Sequence, residues 1–177
     1  MPQPDTALDL DRFVAAIVKS IWSAYPRLQL VEAFRTDRRN LALPACLIEL
    51  VELEPTDNPG TEQLAVVAHI EATVIVDFRD IGAKVQVAKL AADIAHHAQG
   101  QRWGLPVEAA TISAIAPSDF DPDLDQFEVW AVEWRQTIHI GRSIWEDCDL
   151  IPSAVLTSQA PNIGVPHEGD YAPVGGI

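Results

Sequence analysis

The chain has 177 residues, 26 Asp plus Glu against 12 Lys plus Arg, and a formal net charge of -14. A surface that acidic repels phosphate and anionic headgroups, which argues against a nucleic-acid reader and against a peripheral membrane protein. Apolar residues at 48% and charged residues at 21% describe a globular chain rather than a disordered one, no apolar run approaches the roughly 20 residues that span a bilayer, and Cys46 and Cys148 are too few for a disulfide framework.

The opening MPQPDTALDLD has no positive leader before an apolar stretch and does not read as a signal peptide. The sequence therefore reads as soluble, cytosolic in origin and reduced. From about Thr6 to Tyr25 the residues Leu10, Phe13, Val14, Ile17, Val18 and Ile21 recur at helical spacing and build one apolar stripe. Thr6 with Asp9 reads as the N-terminal cap pair, and Pro26 forces the preceding residue out of the helix. LQLVEAF (28–34) reads as a short strand, a polar and basic turn follows at Thr36 to Asn40, and Ala45 to Leu53 reads as a second strand. Pro55, Asn58, Pro59 and Gly60 make a loop.

Residues 64–78 give the clearest strand. The even positions from Leu64 to Phe78 are all apolar, whereas the odd positions mix Val67 and Ile75 with His69, Glu71, Thr73 and Asp77. Period two of this kind puts one face on a core and leaves the other more polar. Such a strand exceeds the usual length of about 5–6 residues, so part of it is expected to extend beyond the small core that its partners cover. A helix over about Ala83 to Ala98 follows, with Val87, Leu90, Ala91, Ile94 and Ala98 as its stripe and Gly100 as its stop. Ala109 to Ala116 and Phe127 to Ile140 read as strands, separated by the acidic loop PSDFDPDLDQ (117–126). In the second of these, Trp130, Val132, Trp134, Ile138 and Ile140 share a face, with Gln136 as the exception. After Gly141 neither period survives, and residues 142–177 read as an arm. It carries Trp145, Leu150, Ile151, Val155, Leu156 and Tyr171 as spaced apolar anchors. The fold class expected is α+β. An antiparallel sheet (domain 1–141) has two helices packed on one face, and an extended C-terminal arm (142–177) follows.

The phosphate-cradling loop, the dinucleotide fingerprint, HExxH and GxSxG are all missing from the sequence. Asp119, Asp121, Asp123 and Asp125 alternate like calcium ligands. However, Leu124 stands where the turn glycine belongs and Trp130 where the closing glutamate belongs, so a solvated loop is the better reading. His96 and His97 point about 100° apart on a helix and do not form a metal pair. His69 and His139, with Glu71 and Glu133, fall on the mixed faces of their strands, where a polar face or subunit contact outweighs a metal or acid/base site. Cys46 reads as a small buried hydrophobe, and Cys148 between Asp147 and Asp149 as a blunted thiol. The Trp130/Trp134 stripe reads as core or interface before ligand platform.

The strand HIEATVIVDFRD (69–80), the Ala-rich helix KVQVAKLAADIAHHAQGQRW (84–103) and the strand FEVWAVEWRQTIHIG (127–141) follow one another in that order. With the acidic connection before a W-x-V-x-W-x-Q-type strand and the N-terminal helix, they resemble the tail terminator (tail completion) proteins of tailed bacteriophages. The resemblance covers about residues 6–141 and leaves out the arm. It implies a virion structural protein at the head-proximal end of the tail, assembled in the host cytoplasm. Such a protein closes into a homohexameric ring, caps the tail tube, ends tube polymerisation and offers a surface for head–tail joining. It also implies no enzymatic activity and no cofactor or metal. The implied partners are its own copies, the tail tube protein, the head–tail connector or neck protein and, in a contractile tail, the sheath. DNA would pass through the ring without specific binding, and no membrane is involved. His69, Glu71, Glu133, Arg135, Trp145 and Tyr171 are the expected subunit-interface residues. The alternatives are another connector or neck ring protein, a small metal-dependent enzyme and a peptide-binding adaptor.

Overall fold

In the computed structural model of the protein, the described residues are 8–33, 41–57, 59–118, 127–144, 156–157 and 163–173. Helix α1 (Leu10–Ala24) starts after Asp9, whose carboxylate accepts the Asp11 backbone N–H at 3.1 Å. The cap is thus Asp9 itself; Thr6, its expected partner, lies outside the described residues. Such a carboxylate stabilises a helix start by about 0.5–2 kcal/mol. Phe13, Ile17 and Ile21 are fully buried, as the stripe requires. Tyr25 closes the helix with its N–H on the Ile21 carbonyl, and the chain turns at Pro26.

The sheet has five strands in the order β1-β2-β3-β5-β4: β1 (Leu30–Ala33), β2 (Ala45–Pro55), β3 (Leu64–Asp77), β4 (Thr111–Pro117) and β5 (Phe127–Ile140). The α+β class is the one expected, but the sheet is mixed. β1 runs parallel to β2 from Leu30↔Ala45 to Ala33↔Ile48, and every other pairing is antiparallel. A parallel pair needs a crossover of about a dozen residues, and the stretch 34–44 has that order of length. β3 is paired along its whole length, although Leu64 at its start is exposed and stands outside the core. β5 has the same length and pairs with β3 residue for residue, from Leu64↔Ile140 to Asp77↔Phe127. The length of β3 is matched by its neighbour rather than left over.

Helix α2 (Ala83–Ala98) lies on the same face of the sheet as α1. Phe13, Ile17, Val87 and Ile94 close over Cys46, Ile48, Ile70, Val74, Val132 and Trp134 in one core. Each large aliphatic or aromatic side chain there contributes about 1.5–3 kcal/mol relative to exposure. Gln136, which breaks the apolar stripe of β5, is 1% exposed within this layer. Its side-chain carbonyl accepts the Trp103 indole N–H at 2.9 Å, and its NH2 donates to the carbonyls of Gln101 and Glu108. The exception in the sequence is therefore the residue that stitches the loop after α2 onto β5. Its polarity is tolerated because its hydrogen-bonding capacity is used.

A β-bulge in β2 sets which face meets water. Leu50 pairs with Ile70 and Glu52 with His69, so Val51 is the extra residue. The insertion shifts the alternation by one position. Leu53 then packs toward the core, and Glu52 and Glu54 face out. Without it, the two glutamates would point into the helix layer.

Residues Trp145–Ile177 form a compact unit separate from Met1–Ile144. The expected boundary at Gly141 falls slightly before this division. Within the second unit β6 (Leu156–Thr157) pairs antiparallel with β7 (Ala172–Pro173), and a 3-10 segment spans Val165–Asp170.

Candidate interaction surface

Both helices pack on one face of the sheet, and among the described residues of the first unit the other face is covered at one end. There Leu30, Leu41, Leu43 and Phe127 close over Ala45, Leu47, Ile75 and Val129 in a small second cluster. The rest of the face is built in rows that follow from strand register. Glu49 lies opposite Glu71, and Glu71 opposite Glu133, so three glutamates stand side by side on β2, β3 and β5. The adjoining row is Glu52, His69, Arg135 and Thr111. His69 Nε2 lies 3.3 Å from Glu54 Oε2, and Thr73, 1% exposed, donates its hydroxyl to Glu71 Oε1 at 3.1 Å. Like charges placed directly opposite on neighbouring strands are destabilising.

The structure brings together His69, Glu71, Glu133 and Arg135, four of the residues expected at a subunit contact. His69 pairs with Arg135 in register, and Glu71 with Glu133. His139 stands apart, opposite Ala65. Trp145 lies outside the described residues. Tyr171 belongs to the second unit, where its hydroxyl accepts the Gly164 N–H at 3.0 Å. Most of the acidic loop (119–126) and Cys148 also lie outside the described residues.

Other candidates resolve into structural roles. His96 is exposed, whereas His97 turns inward, with Nε2 2.9 Å from Ser20 Oγ. Tyr25 meets its ring edge-on at 5.8 Å, and Trp103 lies beside it at 6.3 Å. Burial, helped by the neighbouring His96, holds its pKa below the ordinary 6.5. Cys46 is fully buried, and burial pushes its thiol up to about 12. Trp134 is fully buried in the core and Trp130 packs against it, so the tryptophan stripe is a packing feature. Among the described residues, no three His, Cys, Asp or Glu side chains gather where they could hold a metal ion.

Two surface features escaped the sequence reading. The first is an apolar groove of about 830 Å3 beside the β1 edge, walled by Val14, Val18 and Trp22 of α1 and by Val31, Ile48 and Leu50 of the sheet. The second is the corner between β3 and α2, where Phe78, Ile81 and Val85 are exposed by 45%, 96% and 58%. Val14 and Val18 belong to the helical stripe that reads as core, and they pack against it while part of each side chain stays exposed. The only sequence signal at the corner is an isoleucine in a turn.

No family model matches the chain, and no curated protein matches it. One solved structure, 12% identical, aligns over 77% of this chain and all of its own length with a TM-score of 0.41. A likeness at that level carries no argument about function.

Proposed function

We propose that this protein is a structural, ring-forming component of a phage tail of the tail-terminator type. It assembles with its own copies at the head-proximal end of the tail tube, ends tube growth and presents a surface to the head–tail connector. The observation that carries this reading is the uncovered sheet face. It is continuously paired and carries Glu49, Glu71 and Glu133 side by side across three strands, with His69 and Arg135 in the adjoining row. A monomer gains nothing from that arrangement, whereas an assembly surface does. The segments 69–80, 84–103 and 127–141, on which the resemblance rests, supply β3 and β5, inner strands of this sheet, and α2 behind them. In this reading His69, Glu71, Glu133 and Arg135 are buried against a neighbouring copy. A lumen lined by part of the charge of -14 per copy would keep passing DNA from adhering.

The test is electron microscopy of tails assembled without the protein. Tails of uncontrolled length are expected. Tails of normal length that fail to join heads would place the protein in the neck instead, and normal, joined tails would reject both roles.

A further inference from the structure

β4 is an edge strand of the sheet, and an outer edge is where another chain can add a strand. Residues 109–118 carry no charge, and Thr111, Ile112 and Ile115 are β-branched, a composition that pairs readily with a further strand. Lysines and other charges, common guards of such an edge, are missing from this stretch of sequence. Thr111, Ser113, Ile115, Ala116 and Pro117 are exposed, Ile115 by 41%. Side chains alone therefore leave the edge open, and its backbone groups decide whether a strand can dock.

Register shows which of those groups point outward. The Ser118 N–H bonds to the Val129 carbonyl at 3.0 Å, in line with the pairing from Ala114↔Glu133 to Pro117↔Trp130. Bonded and non-bonded pairs alternate along an antiparallel ladder. Ala114 and Ala116 therefore bond to β5, whereas Ile115 and Pro117 turn their backbone groups outward, and Pro117 has no N–H to offer. Ahead of the register shift between Ile112 and Ala114, the outward residues are Ala110 and Ile112. Ala110 gives its N–H to the Gln101 carbonyl at 2.9 Å, and its carbonyl takes the Gly100 N–H at 2.8 Å. The Ile112 N–H donates to Gln99 Oε1 at 3.0 Å. Gln99 itself is fixed at the end of α2, with its N–H on the Ala95 carbonyl. Among the described residues, Ile115 then holds the one free outward N–H between the bulge and the end of β4. An added strand needs donors and acceptors in unbroken alternation, and this edge does not supply them.

We infer that Gln99 guards the β4 edge, holding the Ile112 N–H so that neither a second copy of this chain nor any other extended segment adds a strand there. The backbone of residues 100–101 closes the start of the edge, Gln99 closes its middle, and the bulge with Pro117 closes its end. Gln99 is the part of this protection that consists of one side chain, so one substitution removes it. Copies of the chain brought close together then meet through side chains and not by continuing the sheet at β4. This guard acts whether or not the copies close into a ring.

The test combines amide exchange by NMR with sedimentation velocity, both on the full chain. Gln99→Met keeps the length of the side chain and removes the acceptor. Exchange of the Ile112 amide should quicken about fivefold, the worth of one exposed hydrogen bond, while the Ala110 amide stays as slow as in the parent. Gln99→Glu keeps an acceptor and should restore slow exchange at Ile112. Gln99→Met combined with Pro117→Val frees outward N–H groups on both sides of Ile115, and this chain should self-associate at least about tenfold more tightly than the parent. Adding Ile115→Pro removes the donor between them and should return association to the parent's level. Unchanged Ile112 exchange in Gln99→Met, equal quickening at Ala110, or Gln99→Glu exchanging as fast as Gln99→Met would overturn the guard, whether or not the double variant folds. Association of the double variant no tighter than the parent's, or association that Ile115→Pro leaves untouched, would overturn it as well.

Discussion

Gln136 shows how one side chain can hold a loop. It satisfies one indole N–H and two backbone carbonyls inside the helix layer. Gln136→Leu keeps the volume and removes the partner of the Trp103 indole N–H and of the Glu108 carbonyl, each worth about 1–3 kcal/mol when buried without a partner, whereas the Gln101 carbonyl keeps the Ala110 N–H at 2.9 Å. Some of that loss is relieved by movement of the loop, so a fall of roughly 2 kcal/mol is expected in urea unfolding. An unchanged midpoint would show that the loop finds other partners. His97 carries the second prediction at this scale. Its pKa in the folded state lies below 6.5 because burial and His96 disfavour the cation, so the unfolded chain binds more protons near and below that value. Its contribution to stability is present above 6.5 and is lost as pH falls toward the folded-state pKa. His97→Gln retains a partner for Ser20 and should flatten the difference in stability between pH 7.5 and pH 5.5, conditions about one pH unit either side of an ordinary histidine. A difference identical to that of the parent chain would assign the acid sensitivity to other groups.

At the scale of elements, the bulge in β2 and the glutamate row belong together. The extra residue Val51 returns Glu52 and Glu54 to the open face and Leu53 to the core. Deleting Val51 would flip the remainder of the strand and drive carboxylates into the helix layer, so that variant should fail to fold cooperatively. Val51→Ala, at a position 58% exposed, should change stability little. Circular dichroism on the pair separates a phase effect from a side-chain effect. Glu71 lies between two glutamates and accepts a hydrogen bond from Thr73. Glu71→Gln keeps an acceptor for that bond and removes the repulsion. It should raise the stability of the isolated chain by about 0.2–1 kcal/mol, with the larger gain at low salt. A loss of stability would mean that the row is already compensated within the chain.

The whole molecule divides at Ile144, where a backbone N–H still bonds to the Thr61 carbonyl of the first unit. Both helices, the five-stranded sheet and the core lie before that point. A chain ending at Ile144 is therefore expected to unfold in one cooperative transition, with a midpoint close to that of the full chain. Broad or absent unfolding would show that the second unit completes the first. The net charge sets the other behaviour at this scale. Copies bearing -14 repel at a distance, so raising the salt toward 0.15 M, where the screening length is about 8 Å, should speed assembly.

Periodicity alone determined the elements. The period-two runs gave β3 and β5, and the helical stripes gave α1 and α2, to within a few residues of their ends. Local pattern is set by which side of an element meets the core, and that is written in every second or every third to fourth residue. The α+β class followed from the order of those elements. The pattern also placed His69, Glu71, Glu133 and Arg135 on the polar side of their strands. Their union into rows, with Glu49 as the third carboxylate, needed the strand register. Register depends on the bulge at Val51 and on which strands become neighbours, both properties of pairs of segments far apart in the chain. The parallel partnership of β1 and β2, the role of Gln136, the uncovered groove and the projecting Ile81 arose the same way. Each depends on what one element leaves exposed or unbonded once another has packed beside it, and no single stretch of sequence contains that information.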